Sequence, residues 1–155
     1  MRFLHNFLRC AISACMIGIV IVASLGVFFR YVLNSPLFWT DEICRYALVW
    51  MTFLGGALLV GHPDGHVRVD FFTDRMSGPA RRIAIVLATA VEMVIVLLIT
   101  IGGVIWMQAS TRTASAAADI PMFVIYAVIP LSGLAALVFI LGRFFRSWNA
   151  ESGAR

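Results

Sequence analysis

Lysine is absent from this chain, and charge of either sign is scarce, with 13% of its 155 residues charged against about a quarter in ordinary soluble domains. That scarcity excludes a water-soluble globule, because 61% hydrophobic residues and a mean hydropathy of +0.94 leave too little polar surface to cover one. Cysteine is also sparse. Cys10, Cys15 and Cys44 are odd in number and lie in or beside apolar runs, where a thiol behaves as a small hydrophobe, so neither a disulfide framework nor a metal-ligand spacing emerges. The three histidines, His5, His62 and His66, stand outside the long apolar runs, which argues against a haem-bearing anchor with axial ligands at membrane depth. No Ser/His or Cys/His arrangement falls within those runs, so no catalytic residue is expected. Internal repeats and low-complexity segments are lacking too.

What the sequence does have is arginine at the ends of apolar stretches. A formal charge of +4 could suit nucleic acid, but this placement fits anchoring at a bilayer interface, where a guanidinium in hydrocarbon costs about 2.5 to 3.5 kcal/mol on insertion scales. Cys10 to Phe29 is uncharged and bracketed by Arg9 and Arg30, and its length matches the ~20 residues that cross a ~30 Å hydrocarbon core as a helix. It is too long for the apolar region of a signal peptide, and Arg30-Tyr31 follows it where small residues would mark a cleavage site, so it reads as an uncleaved anchor. Tyr46 to Gly61 is short for a crossing, so the second helix is expected to begin near Thr40 and to carry Asp41, Glu42 and Arg45 in its first turns. Ile83 to Thr111 is uncharged apart from Glu92, and Ile120 to Gly142 is uncharged throughout, with Pro130 as a tolerated kink.

The expectation is an all-α integral membrane protein, a single domain over residues 1–155 forming a four-helix bundle with spans near 10–29, 40–61, 83–108 and 120–142. Nine arginines fall on one side of such a chain: Arg2, Arg9, Arg68, Arg75, Arg81, Arg82, Arg143, Arg146 and Arg155. Only Arg30, Arg45 and Arg112 fall on the other, so both termini are expected to be cytoplasmic.

Three charges at the lip of the second span invite explanation. With Thr40 as N-cap, Asp41 and Glu42 would interact favourably with the positive end of the helix dipole, and Arg45 would lie within reach of both. Trp39 and Tyr46 suit an interfacial aromatic belt, and the whole knot could dock on another protein. Glu92 is a lone acid about 14 Å into the third span at ~1.5 Å per residue. No basic residue stands at a comparable depth in the other spans, so the sequence reading is an interface or structural hydrogen bond, with a lipid-exposed neutral acid next and transport chemistry last. His66 and Asp70 flank alternating valines in the connection between the second and third spans, and they suit an ordered polar loop better than a metal site, for which even His62 with Asp64 adds too little. Ala14 with Gly18 and Ser132 with Ala136 are small pairs that could mark packing faces.

Taken together, Arg30-Tyr31, Asn34, Pro36, Trp39-Thr40, Glu42, Arg45-Tyr46, Trp50, Gly55-Gly56, Gly65-His66, Val69 and Asp70, followed by the stretch Asp119 to Pro130, resemble the small membrane subunit of tripartite ATP-independent periplasmic (TRAP) transporters, the DctQ-like family. The likeness runs over roughly Ser24 to Phe145, and His62-Pro63-Asp64 departs from it. The resemblance implies four spans with both termini inside, a bacterial inner-membrane location, and two partners besides lipid: a large multi-span permease carrying the substrate and sodium sites, and a periplasmic binding protein for an organic acid. It implies no cofactor in this chain, no metal and no nucleic acid. Arg30, Trp39, Glu42, Arg45, His66, Asp70 and Glu92 are then candidate interface or structural residues. A different class, a self-sufficient small four-helix exporter working through Glu92, would place that glutamate in its first span and show little arginine bias.

Overall fold

The computed structural model describes residues 2–62 and 79–152. Its elements are α1 (Arg2–Tyr31), α2 (Trp39–Gly61), α3 (Pro79–Ala109), the short α4 (Met122–Tyr126) and α5 (Val128–Ser152). Helix is the only regular structure that a chain this apolar can carry through hydrocarbon one segment at a time, because it satisfies each backbone N–H and C=O within the segment. Among the described residues, four stretches are long and apolar enough to cross: Phe3–Tyr31, Trp39–Gly61, Val86–Ala109 and Met122–Phe144. Helix α1 starts well before the expected Cys10, since nothing from Arg2 to Arg9 breaks a helix. At 30 residues it is about 45 Å long. It ends at Tyr31, and beyond it Asn34 takes φ 50 while the Ser35 amide turns back to the Phe29 carbonyl at 3.0 Å.

The fourth span is divided. Pro130 has no N–H to give the carbonyl four residues before it, Tyr126, and the helix breaks there between α4 and α5. The ladder closes again around the break through Ala127 N–H to Phe123 O at 2.9 Å and Leu131 N–H to Ala127 O at 3.2 Å. The kink at Pro130 was legible in the sequence.

The packing is where expectation and structure part. The described helices lie in a row, α1 against α2, α2 against α5, and α5 against α3, with no more than marginal contact between any other pair of the long helices. A closed bundle would also bring α1 or α2 onto α3. The consequence is visible in burial: half of the hydrophobic stretch of the fourth span is buried within the chain, and none of the first. Leu8, Leu54, Val128 and Phe139 form the buried cluster along this row. Residues such as Met16, Ile17, Val20 and Ile21 on α1, and Val91, Val94, Leu98 and Ile105 on α3, stay exposed.

Hydrophobicity alone cannot hold helices together in lipid, whose tails are as apolar as leucine, so close backbone approach has to contribute. Two glycines show it. A Cβ on Gly26 of α1 would lie 2.8 Å from Thr40 Oγ1 of α2, and a Cβ on Gly133 of α5 would overlap Thr100 Oγ1 of α3. Thr100 can be buried there because its hydroxyl is satisfied by the Val96 carbonyl one turn back, at 2.7 Å. Of the two small pairs in the sequence, Ser132 and Ala136 are buried, whereas Gly18 has open space around it.

A valine at Gly133 should therefore drive α5 off α3. We expect Gly133→Val to cost about 1 to 3 kcal/mol, read as a lower unfolding temperature in detergent, and Thr100→Ala in the same chain to restore most of it. Equal losses in both backgrounds would show that the contact does not set the packing.

Candidate functional site

Five hydrogen bonds converge on one carboxylate at the start of α2. Glu42 Oε1 accepts from Tyr46 Oη at 3.1 Å and from the Ala116 amide at 3.1 Å. Its Oε2 accepts from Ser115 Oγ at 3.0 Å, the Ala117 amide at 3.0 Å and the Ala118 amide at 2.8 Å. Tyr46 comes from the next turn of α2, where the i,i+4 spacing puts it over Glu42. The other four donors come from the connection between α3 and α4, more than seventy residues away in sequence.

That connection is built to present them. Ala114 and Pro121 pair as an isolated antiparallel bridge, the Ser115 amide reaches Ile120 O at 2.9 Å, and the Met122 amide reaches Thr113 O at 2.9 Å. Asp119 takes φ 51 to turn the chain, and the Ile120 amide donates to Ser115 Oγ at 3.2 Å, leaving that hydroxyl's proton for Glu42. Three successive amides pointing into one concavity form a nest of the kind that holds anions. The glutamate thus clasps the loop after α3 to the start of α2.

The sequence reading of this lip needs three corrections. Helix α2 begins at Trp39 with Phe38 before it and no side-chain cap. Thr40 lies one position inside the helix, buried against Gly26, and donates its hydroxyl back to Leu37 O at 2.8 Å. Nor do Asp41, Glu42 and Arg45 form one local cluster. Asp41 pairs instead with Arg30 of α1 at 3.3 Å, an exposed contact worth about 0 to 1 kcal/mol, and Glu42 is taken up by the hairpin, so Arg45 is exposed with no ion pair to either acid. Trp39 is half-buried at the same end.

Glu92 does have a basic partner. Arg143 Nη2 of α5 meets Glu92 Oε2 at 2.5 Å, with side chains 31% and 17% exposed, and Arg143 Nη1 reaches the Val60 carbonyl in the last turn of α2 at 3.4 Å. Read by position, Arg143 stood among the flanking arginines. It reaches the glutamate because α3 and α5 run antiparallel, their contacts stepping from Gly103 with Ile129 to Thr100 with Gly133 and on to Glu92 with Arg143, and because a long arginine stem lies along apolar surface while its head finds a partner. His66 and Asp70 lie outside the described residues.

Sequence reasoning missed Ser115, Ala116, Ala117, Ala118 and the role of Arg143. Backbone amides carry no residue signature; the only trace of the nest is a run of small residues around Ser115.

Half-removing the Glu92–Arg143 pair should cost more than removing it. Glu92→Gln or Arg143→Gln alone is expected to cost about 1 to 3 kcal/mol by stranding a charged group. The double change Glu92→Leu with Arg143→Leu should cost less than either, by thermal unfolding in detergent. Additive losses would show the two residues to be uncoupled.

With this geometry established, comparison with known proteins identifies the lineage. The family model for "Tripartite ATP-independent periplasmic transporters, DctQ component" matches residues 19–150. The chain is 26% identical over 147 residues to a Haemophilus influenzae protein described as a TRAP transporter small permease protein, covering 92% of this chain and 91% of that one. It is also 25% identical over 104 residues to the sialic acid TRAP transporter small permease protein SiaQ of Vibrio cholerae, covering 67% of this chain and 57% of the relative. Four helices among the described residues that are long and apolar enough to cross a membrane, and a family match over most of the length, make one conclusion plain: the chain belongs to the DctQ component family of TRAP transporters, as a multi-pass small permease subunit.

Proposed function

We propose that this subunit is the non-catalytic brace of a sodium-coupled importer of organic acids in the bacterial inner membrane, working with a large multi-span permease and a periplasmic substrate-binding protein. The observation that carries the reading is the open row of helices. The outer helices α1 and α3 expose broad apolar faces, and a chain that leaves the most apolar stretch of its first span unburied offers a large permease an extended surface to lie against. Glu92, the acid on which a self-sufficient transporter would depend, is held by Arg143, which supports a structural role for it. Substrate and sodium sites then belong to the large subunit. The sialic acid in the name of the Vibrio cholerae relative agrees with an acidic substrate without specifying this one. On this reading the termini are cytoplasmic and the Glu42 clasp faces the periplasm, in keeping with nine arginines against three.

Reconstituted alone, the chain should move no organic acid. Uptake should require the large permease, sodium and the binding protein together, and uptake by the isolated chain that is abolished by Glu92→Gln would establish the exporter instead. Orientation is tested separately. After replacement of Cys10, Cys15 and Cys44, single cysteines introduced at position 65 and near the C-terminus should label only from the cytoplasmic side. Labelling from the periplasm at either would reverse the assignment.

A further inference from the structure

The clasp has two halves, and they are not equally dependent on each other. The hairpin holds its shape through its own bonds, the Ala114–Pro121 bridge, Ser115 to Ile120, Met122 to Thr113, and Thr113 Oγ1 to Ser110 O at 3.0 Å, none of which involves Glu42. Its donors face a single point from one hydroxyl and three amides, with Tyr46 closing the far side. Among the described residues no arginine forms an ion pair with Glu42. The anion is therefore recognised by oriented dipoles, and by two oxygens at once, a geometry that suits a planar carboxylate and not a spherical halide.

We propose that the Ser115–Ala118 turn, with Tyr46, is a carboxylate-binding site in its own right, occupied in this chain by its own Glu42 side chain, and that it accepts a free small monocarboxylate when that side chain is withdrawn. The site is preorganised, so a ligand entering it orders little that is not already ordered. Truncating Glu42 to alanine removes one methylene and the carboxylate, and acetate supplies the same carbons and oxygens. Protection of the Ala116, Ala117 and Ala118 amides is thereby tied to the presence of a carboxylate in the nest, whichever molecule carries it.

The test is size-matched rescue in the full chain, purified in detergent, with amide hydrogen exchange followed at residues 116–118. In Glu42→Ala these amides should exchange at least about tenfold faster than in the parent. Acetate on the order of 10 to 100 mM, a weak-affinity range, should restore protection saturably, while chloride at equal ionic strength should not. Glu42→Gln keeps the space filled and should not respond to acetate. Should Glu42→Ala be too unstable to purify in chloride, recovery in acetate is the readout in its place. The proposal is overturned if acetate does no better than chloride, if Glu42→Gln responds equally, if Glu42→Ala keeps parental protection without acetate, or if it fails to fold in both salts.

Discussion

Hydrocarbon offers no hydrogen bonds, and every feature of this chain answers to that one constraint. It makes the spans helical, and it confines irregular backbone to the ends of the helices. It also explains the small economies inside the spans. Thr100 and Thr52 return their hydroxyls to carbonyls one turn back, at 2.7 and 2.8 Å, and Pro130, which leaves a carbonyl without its amide, sits where the fourth span can break into two helices. Where the chain must leave helical geometry between α3 and α4, it folds a hairpin whose amides are collected by a carboxylate from α2.

The same constraint shapes how the helices meet. Because lipid competes equally for apolar side chains, contact is won by shape, and it occurs where a glycine admits the neighbouring side chain, Gly26 to Thr40 and Gly133 to Thr100. Polar ties then fix the two ends of α2 to its neighbours. At one end Glu42 joins α2 to the hairpin, and at the other Arg143 joins α5 to Glu92 of α3 and to the last turn of α2. Each tie links elements distant in sequence, and each reaches an end of α2, Glu42 in its first turn and the Val60 carbonyl in its last. The row stays open, and its outer faces stay exposed for lipid or for another subunit.

The division between what the chain alone fixes and what folding adds runs along the range of the interactions. Composition and apolar run length were enough for an all-α membrane protein with four crossings, because transfer of side chains into hydrocarbon is a local property summed along each segment. The Pro130 break and the family were legible for related reasons, one a missing amide and the other a pattern spread over most of the chain. Helix starts were uneven: α2 begins at Trp39, one residue from the expected Thr40, but α1 reaches back to Arg2, since nothing in the hydropathy pattern says how far a helix continues beyond its apolar stretch.

What only tertiary structure decided is who meets whom. Local spacing offered Arg45 to Asp41 and Glu42, yet Arg30 takes one acid and the hairpin takes the other, because backbone amides that carry no mark in the sequence outcompete a nearby exposed cation. Glu92 looked unpartnered for the same reason, as Arg143 comes level with it only once α3 and α5 are set antiparallel. The sequence by itself determined the solvent, the spans and the lineage, all properties that add up residue by residue. The open row, the clasp and the half-buried Glu92–Arg143 pair depend on contacts between residues dozens of positions apart, and these come into being only when the helices pack.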